Sequence, residues 1–383
     1  MDFSDALLFL IVVGARLGVP LLIFRFPLPA ILAVMLIDAA DQTIFQNWSN
    51  LNLDNYQSYD KALDIYYLAI AYISTMRNWV NLFAFRTGRF LWYYRLVGVM
   101  LFELLQWRAL LLVFANSFEY YFDYYEAVKT RWNPLRMTVK HIIQAAAIIW
   151  VVIKLPQEYW IHVAKLDTTD VFKEHVFGVS VDTGWGEAIS QNLWFIPVAI
   201  VLIAALAFAI RAIYPRLPRP DWPLTFDADT HADEFVHAKR GIPTKRAPRV
   251  WLAEKILLLG VISVIFGQVL PGTNVSNLQM FIGVSVILIA NSFVSHWLAL
   301  RGTTWRNSFT EFLTMAAINA GLVVLFDLLT PEFGGSIRLA DLLFFILLIT
   351  LIVTLYDRYR PVHDQRFGLN DYAPVEPVSS SSA

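Results

Sequence analysis

Long apolar runs alternate with short polar connections along most of the chain. Runs of roughly 18 to 25 apolar residues can each cross a bilayer as a helix. They lie near residues 6–24, 28–45, 62–84, 92–114, 138–155, 193–213, 252–270, 278–299, 308–329 and 338–356. Backbone polar groups inside lipid must be satisfied within their own segment, which favours helices over open strands. The pattern therefore predicts an all-α, polytopic transmembrane helical bundle of about ten spans.

One region allows a different count. Residues 62–126 form three crossings in an eleven-span alternative, which turns the N-terminus outward and moves Arg86 and Arg89 to the cytoplasmic side. The third crossing needs the segment FEYYFDYYEAVK, and its acidic residues disfavour the bilayer core. We therefore expect ten spans, with this segment as an interfacial helix that has Asn116 as its N-cap.

A basic, proline-rich segment divides the apolar runs into two unequal sets. The predicted organisation is an N-terminal six-span bundle (1–214) with an external cap (156–191), a cytoplasmic linker (215–250), a C-terminal four-span bundle (251–358) and a disordered tail (359–383). Prolines favour extended conformations in such a linker.

Composition supports a membrane protein. Hydrophobic residues make up 57% of the 383 residues, charged residues only 16%, and cysteine is absent. The chain therefore has no thiolate ligand or disulfide, and its net charge of -1 does not favour nucleic-acid binding. Lys and Arg in the linker and near the C-terminus predict that both are cytoplasmic. The lipid bilayer is the one partner that the sequence predicts, and no metal or other cofactor is expected.

Ionisable side chains within the apolar runs are the first candidates for function, because they are costly in lipid. They are Arg16, Asp38, Asp41, Arg77, Glu103, Arg108, Glu254, His296 and Glu311. Asp38 and Asp41 are three residues apart and share a helix face. They could bind a divalent cation, share a proton or pair with Arg16.

The predicted external cap is longer than a simple connection requires. Its candidate residues are Glu158, His162, Asp167, Asp170 and His175. One carboxylate and two imidazoles are ligands in many zinc sites. A folded cap without metal is the stronger expectation, because Glu and His four residues apart are common by chance.

Two segments, Arg95–Tyr125 and Lys154–Asp170, resemble parts of uncharacterised multi-pass membrane proteins of the actinobacterial type. The resemblance covers about a fifth of the chain. It implies a bacterial plasma membrane location and transfers no functional residue.

Three functions are compatible with these features. The first is a transporter or channel-like protein that uses the buried charges of the first six helices. The second is a membrane-embedded enzyme acting on a lipid-linked substrate at the external face. The third is a structural component of an envelope complex. Abundant apolar spans with buried charges of both signs favour the first.

Overall fold

The computed structural model describes residues 3–48, 56–166, 168–230, 248–269 and 339–367, together with the single positions 317 and 321. Within these ranges the chain is helical and contains no strand, which confirms the all-α prediction for this part. Residues 278–299 and 308–329, two of the expected spans, lie almost entirely outside the described residues.

Twelve helices are numbered here in chain order. They are α1 (Phe3–Gly18, continued by a 3-10 helix, Val19–Phe24), α2 (Pro27–Trp48), α3 (Tyr56–Asn78), α4 (Leu82–Leu105), α5 (Ala109–Val113), α6 (Ser117–Lys129), α7 (Val139–Val163, with π-helical stretches), α8 (Thr168–Val171, continued by a π-helical turn, Phe172–Phe177), α9 (Trp185–Gln191), α10 (Phe195–Ile213), α11 (Pro248–Val269) and α12 (Leu339–Phe367).

Three helical stretches in the described ranges are long and apolar enough to cross a membrane. They are Ser4–Phe24, Val139–Val163 and Phe195–Arg216. Each has 21 to 25 residues, which matches the thickness of a hydrocarbon core. These helices support a membrane protein. The full count of ten spans stays a prediction.

Residues 62–126 form three principal helices, α3, α4 and α6, where two spans were expected. The helices α3 and α4 are separated at residues 79–81, and Asn81 caps α4 by accepting hydrogen bonds from the N–H groups of Phe83 and Ala84 (both 3.1 Å). Gln106 ends α4 in the left-handed conformation, at φ 53°. The expected spans 62–84 and 92–114 are therefore displaced from the helices that form.

One face of helix α6 packs in the core of the described part of the protein. Asn116 precedes it as expected, although its side chain makes no capping bond. The aromatic rings of Phe118, Tyr121, Phe122 and Tyr125 are fully buried. The sequence pattern treats the acidic residues of this segment as unpaired charges, whereas in the fold Glu119 and Glu126 have partners. Glu126, for example, accepts a hydrogen bond from Trp79 Nε1 (2.8 Å).

Several helix ends meet at one end of the bundle, which we call the basic end. Arg77 Nη1, near the end of α3, donates to the carbonyl oxygen of Phe24 (2.5 Å). Arg366 Nη1, near the end of α12, donates to the carbonyl of Trp79 (2.9 Å). Asn81 Nδ2, at the start of α4, donates to the carbonyl of Pro134 (3.1 Å).

Residues 217–230, called the strap, cross the basic end. The Asp221 N–H donates to the Arg131 carbonyl (2.9 Å), and the Ala228 N–H donates to the Arg25 carbonyl (2.8 Å). The first part of the expected linker is therefore bonded to the helical body. Residues 231–247 lie outside the described ranges, and residues 248–250, which were expected to end the linker, form the start of α11.

Charged side chains also hold the strap. Arg77 Nη2 donates to Asp229 Oδ1 (2.5 Å). The backbone N–H of Asp229 donates to Asp227 Oδ1 (2.9 Å) and Arg25 Nε donates to Asp227 Oδ2 (3.2 Å). Both bonds stabilise the ionised form, so they hold the pKa of Asp227 below its usual value.

Helices α11 and α12 pack against α3, and α11 also packs against α4. Glu254 of α11 joins these elements: its Oε1 accepts from the Tyr72 hydroxyl (3.0 Å), and its Oε2 pairs with Arg360 Nη1 of α12 (2.8 Å). The division into an N-terminal and a C-terminal bundle stays a prediction, because most of residues 270–338 lie outside the described ranges.

Close packing of α4 gives a test of the fold. A Cβ atom at Gly98 would overlap Phe114, directly after α5, whereas a Cβ at Gly14 of α1 meets no atom within 4 Å. We expect Gly98→Ala to lower the free energy of unfolding by about 1–3 kcal/mol through overpacking. The control, Gly14→Ala, removes a flexible residue from a helix and should be neutral or stabilising by about 1 kcal/mol. Denaturant unfolding in detergent compares the two, and equal effects would contradict the packing at Gly98.

Candidate functional site

Arg16 of α1 is the centre of the most highly charged cluster in the described part of the chain. Its side chain is only 1% exposed. Arginine stays protonated inside proteins, and its guanidinium carries five N–H donors in a planar fork. A buried arginine therefore requires acceptors on the neighbouring helices.

Four aspartates from two other helices surround this guanidinium. Asp38 and Asp41 come from α2, and Asp60 and Asp64 come from α3. Asp38 Oδ1 lies 2.7 Å from Nη2, Asp64 Oδ1 lies 2.8 Å from Nη2 and Asp60 Oδ1 lies 2.8 Å from Nη1, while Asp41 Oδ2 also contacts Nη1. The expected pairing of Arg16 with Asp38 and Asp41 thus forms, together with two further carboxylates.

The four carboxylates follow from helix geometry. Asp38 and Asp41 are three residues apart, and Asp60 and Asp64 are four apart, so each pair lies on one helix face. The two faces meet at the guanidinium of Arg16. We refer to these five side chains as the aspartate cluster.

The aspartate cluster carries more negative than positive charge. One guanidinium faces four carboxylates, which leaves an excess of three negative charges when all four are ionised. Like charges in a partly buried site repel one another, so binding of protons or cations is favourable there. Asp41 is almost fully buried, whereas the side chains of Asp38, Asp60 and Asp64 are 32–40% exposed and therefore accessible.

Three of these carboxylates have the spacing of metal ligands. Asp38, Asp60 and Asp64 each offer one oxygen, and these oxygens lie within 4.8 Å of one another. Oxygen ligands from carboxylates suit hard cations such as Mg²⁺, Mn²⁺ and Ca²⁺. The arrangement can therefore take up either a divalent cation or protons.

A second buried polar group connects α3 with α6 and α7. The Tyr67 hydroxyl of α3 donates to Glu119 Oε1 (3.0 Å), and Asn116 Nδ2 donates to Glu119 Oε2 (2.8 Å). The Asn116 N–H donates to Glu158 Oε1 (3.1 Å), and Glu158 Oε2 lies 3.0 Å from His162 Nε2. Polar contacts therefore run from His162 to Tyr67, one helical turn beyond Asp64.

The other candidates from the first apolar runs are dispersed. Glu103 is buried and pairs with Lys61 Nζ (3.3 Å). Arg77 holds the strap at the basic end. Arg108 precedes α5 and is exposed, in contrast to the expected buried position. His296 and Glu311 lie outside the described residues.

The candidate residues of the predicted cap lie on different helices. Glu158 and His162 belong to α7, which continues through Pro156 to Val163 and does not end at the proline as expected. Proline lacks an N–H donor, and the π-helical stretches around it alter the hydrogen-bond register. Asp170 follows in α8, His175 is exposed in the next turn, and Asp167 lies outside the described residues.

The sequence pattern did not identify four further residues as site candidates: Asp60, Asp64, Lys61 and Glu119. Asp60 and Lys61 fall just outside an expected span, and Asp64 lies near its edge, where side chains can reach water. The available signal was the four-residue spacing of Asp60 and Asp64, together with Tyr67 on the same face of α3.

Comparison of the chain with protein-family models, curated proteins and solved structures finds no match at any of the three levels. The site must therefore be interpreted from its own chemistry.

Removing the central charge should show its structural role. We expect Arg16→Gln to lower the free energy of unfolding by about 3 kcal/mol at neutral pH, because four carboxylates lose their shared cation. Lowering the pH should restore part of this loss, since protonation removes the repulsion that the glutamine cannot balance.

The matched control is Arg25→Gln, because Arg25 forms a single ion pair with Asp227 and its side chain is 65% exposed. It should change stability by less than about 1 kcal/mol. Thermal unfolding in detergent at several pH values provides the measurement. An Arg16→Gln protein that is as stable as the control at neutral pH would contradict the role assigned to Arg16.

Proposed function

We propose that this protein is a membrane transporter or channel-like protein that moves a cation, with the aspartate cluster as its binding site. The observation that carries the proposal is the excess of negative charge around Arg16, at carboxylates that remain partly exposed. A purely structural ion pair needs one carboxylate for one guanidinium. Here three additional carboxylates form a site whose occupancy by cations or protons is favourable.

The location of the site supports transport. Ionisable residues inside helical membrane proteins typically line ion pathways or proton relays. The aspartate cluster is built by three helices, α1 to α3, and a single cation bound there contacts more than one of them. Binding and release of charge can therefore change how these helices pack, which transport requires.

We further propose a multi-pass arrangement in a bacterial plasma membrane, with the basic end in the cytoplasm. Basic residues concentrate there, among them Arg25, Arg77, Lys129, Arg131 and Arg366. Cytoplasmic loops are enriched in Lys and Arg. This orientation makes the end of α12 cytoplasmic, as expected from sequence.

The same orientation favours the eleven-span alternative over ten spans. The end of the Ser4–Phe24 helix contacts Arg77 and lies at the basic end, so the start of α1 faces the opposite side. The three helices α3, α4 and α6 then replace two crossings, and Arg86 and Arg89 lie near the basic end, at the start of α4.

The enzyme alternative receives less support. An enzyme acting at the external face needs a polar cavity beneath the cap, with Glu158 or His162 in its wall. Glu158 is 5% exposed and is bonded to Asn116 and His162. This carboxylate is packed inside the helical body and is not presented to a substrate.

Flux measurements test the proposed transport. Purified protein in liposomes should accelerate the movement of protons or of Mn²⁺ across the membrane, followed by internal pH-sensitive or metal-sensitive dyes. We expect Asp60→Asn combined with Asp64→Asn to reduce the flux at least tenfold, since each lost charge weakens cation binding by about 1.4 kcal/mol or more.

Asp182→Asn is the control, because Asp182 is exposed and lies far along the chain from the cluster. It should leave the flux unchanged. The proposal fails if liposomes containing the native protein are no more permeable than empty liposomes to either ion, or if the double variant transports normally.

Sidedness can be tested with single cysteines, because the native chain has none. We expect a membrane-impermeant maleimide to label Ser4→Cys in intact cells, and to label Thr230→Cys, in the strap, only after the membrane is opened. Labelling of both positions only after the membrane is opened would support the ten-span arrangement instead. Labelling of Thr230→Cys alone in intact cells would show that the orientation is opposite to the one proposed.

A further inference from the structure

A groove of about 550 Å³ lies between α6 and α7, apart from the aspartate cluster. Tyr120, Asp123 and Tyr124 of α6 form one wall. The other wall belongs to α7 and consists of His141, Gln144, Ala145, Ile148, Ile149 and Ile153. The groove is thus largely apolar, with a carboxylate in one side.

Asp123 is half-buried in this wall, and its Oδ1 is buried without a hydrogen-bond partner. An ionised carboxylate in apolar surroundings is unfavourable unless a donor or a cation accompanies it. The other acidic residues of α6 have such partners: Glu119 is bonded to Tyr67, and Glu126 to Trp79 and Lys129. Asp123 is the exception on its helix.

The buried cation Lys154 acts on Asp123 electrostatically but forms no hydrogen bond or ion pair with it in the described part of the chain. Lys154 Nζ of α7 donates to Gln157 Oε1 (3.0 Å) and lies 4.0 Å from the centre of the Tyr120 ring. Its contact with Tyr120 shows, however, that the rings of α6 can receive an ammonium group.

We propose that this groove binds an amphiphilic organic amine. The ammonium group pairs with Asp123 and is flanked by Tyr120 and Tyr124, because a carboxylate beside aromatic rings favours organic cations. The alkyl chain lies along Ile148 and Ile153, whose side chains are exposed in the groove. The expected ligand is a free amphiphile in its protonated, ammonium form. The site is independent of the proposed cation transport.

Photoaffinity labelling tests this site in the full-length protein. The probe is dodecylamine with a diazirine in its alkyl chain, added to protein in phosphatidylcholine nanodiscs. We expect cross-links on α6 and α7, mapped by mass spectrometry. Unmodified dodecylamine should compete with the probe at least about tenfold better than dodecanol, which has the same chain without the charge.

Two variants separate charge from shape. Asp123→Asn keeps the size of the side chain and should reduce labelling about tenfold or more. Ile148→Trp fills the groove and should also reduce labelling, although Asp123 is intact. The control Asp182→Asn removes an exposed carboxylate elsewhere and should label like the native protein.

Thermal unfolding of each variant without probe shows whether it is folded. Reduced labelling in folded Asp123→Asn and Ile148→Trp proteins supports the site. The proposal is overturned if folded Asp123→Asn labels normally, if dodecanol competes as well as dodecylamine, or if the cross-links lie outside α6 and α7.

Discussion

The interaction on which the first three helices depend is the contact between one buried guanidinium and carboxylates of two neighbouring helices. In the proposed multi-pass arrangement, apolar contacts between helices contribute little net driving force, because lipid tails are as apolar as leucine side chains. Charge is different, since Arg16 cannot lose its proton and requires acceptors. The relative positions of α1, α2 and α3 therefore follow largely from the groups that solvate Arg16.

Helix α3 extends this dependence to the rest of the described structure. It contributes Asp60 and Asp64 to the aspartate cluster, Tyr67 to the buried polar group and Tyr72 to Glu254 of α11. It also has the most extensive packing against α12. Because of its polar side chains, α3 is not among the three helices that are long and apolar enough to cross a membrane. Its residues 65–76 are nevertheless all buried. A central helix surrounded by protein needs specific partners more than it needs apolar character.

The sequence was sufficient to predict the helical fold class and most helix positions in the described ranges, and pairing with Arg16 was one of three alternatives that it left open for Asp38 and Asp41. It was insufficient where tertiary partners decide the outcome. The acidic residues of α6 appeared incompatible with burial because Trp79 and Tyr67, which satisfy Glu126 and Glu119, are more than 45 positions away in sequence. Asp60 and Asp64 were missed for the same reason, since only the fold brings them to Arg16. Local patterns show which groups need partners but cannot identify those partners.

The exposed surface of α10 has a consequence for assembly. None of the residues in its most apolar stretch is buried, and this stretch is the most apolar of the three helices that are long and apolar enough to cross a membrane. Partition from water into lipid is therefore sufficient to insert this segment, without help from neighbouring helices. Insertion and tertiary packing become separate stages for α10, as in two-stage folding of membrane proteins. The strap follows α10 in the chain, so in the proposed arrangement its bonds to Arg131 and Arg25 form on the side of the membrane where α10 ends.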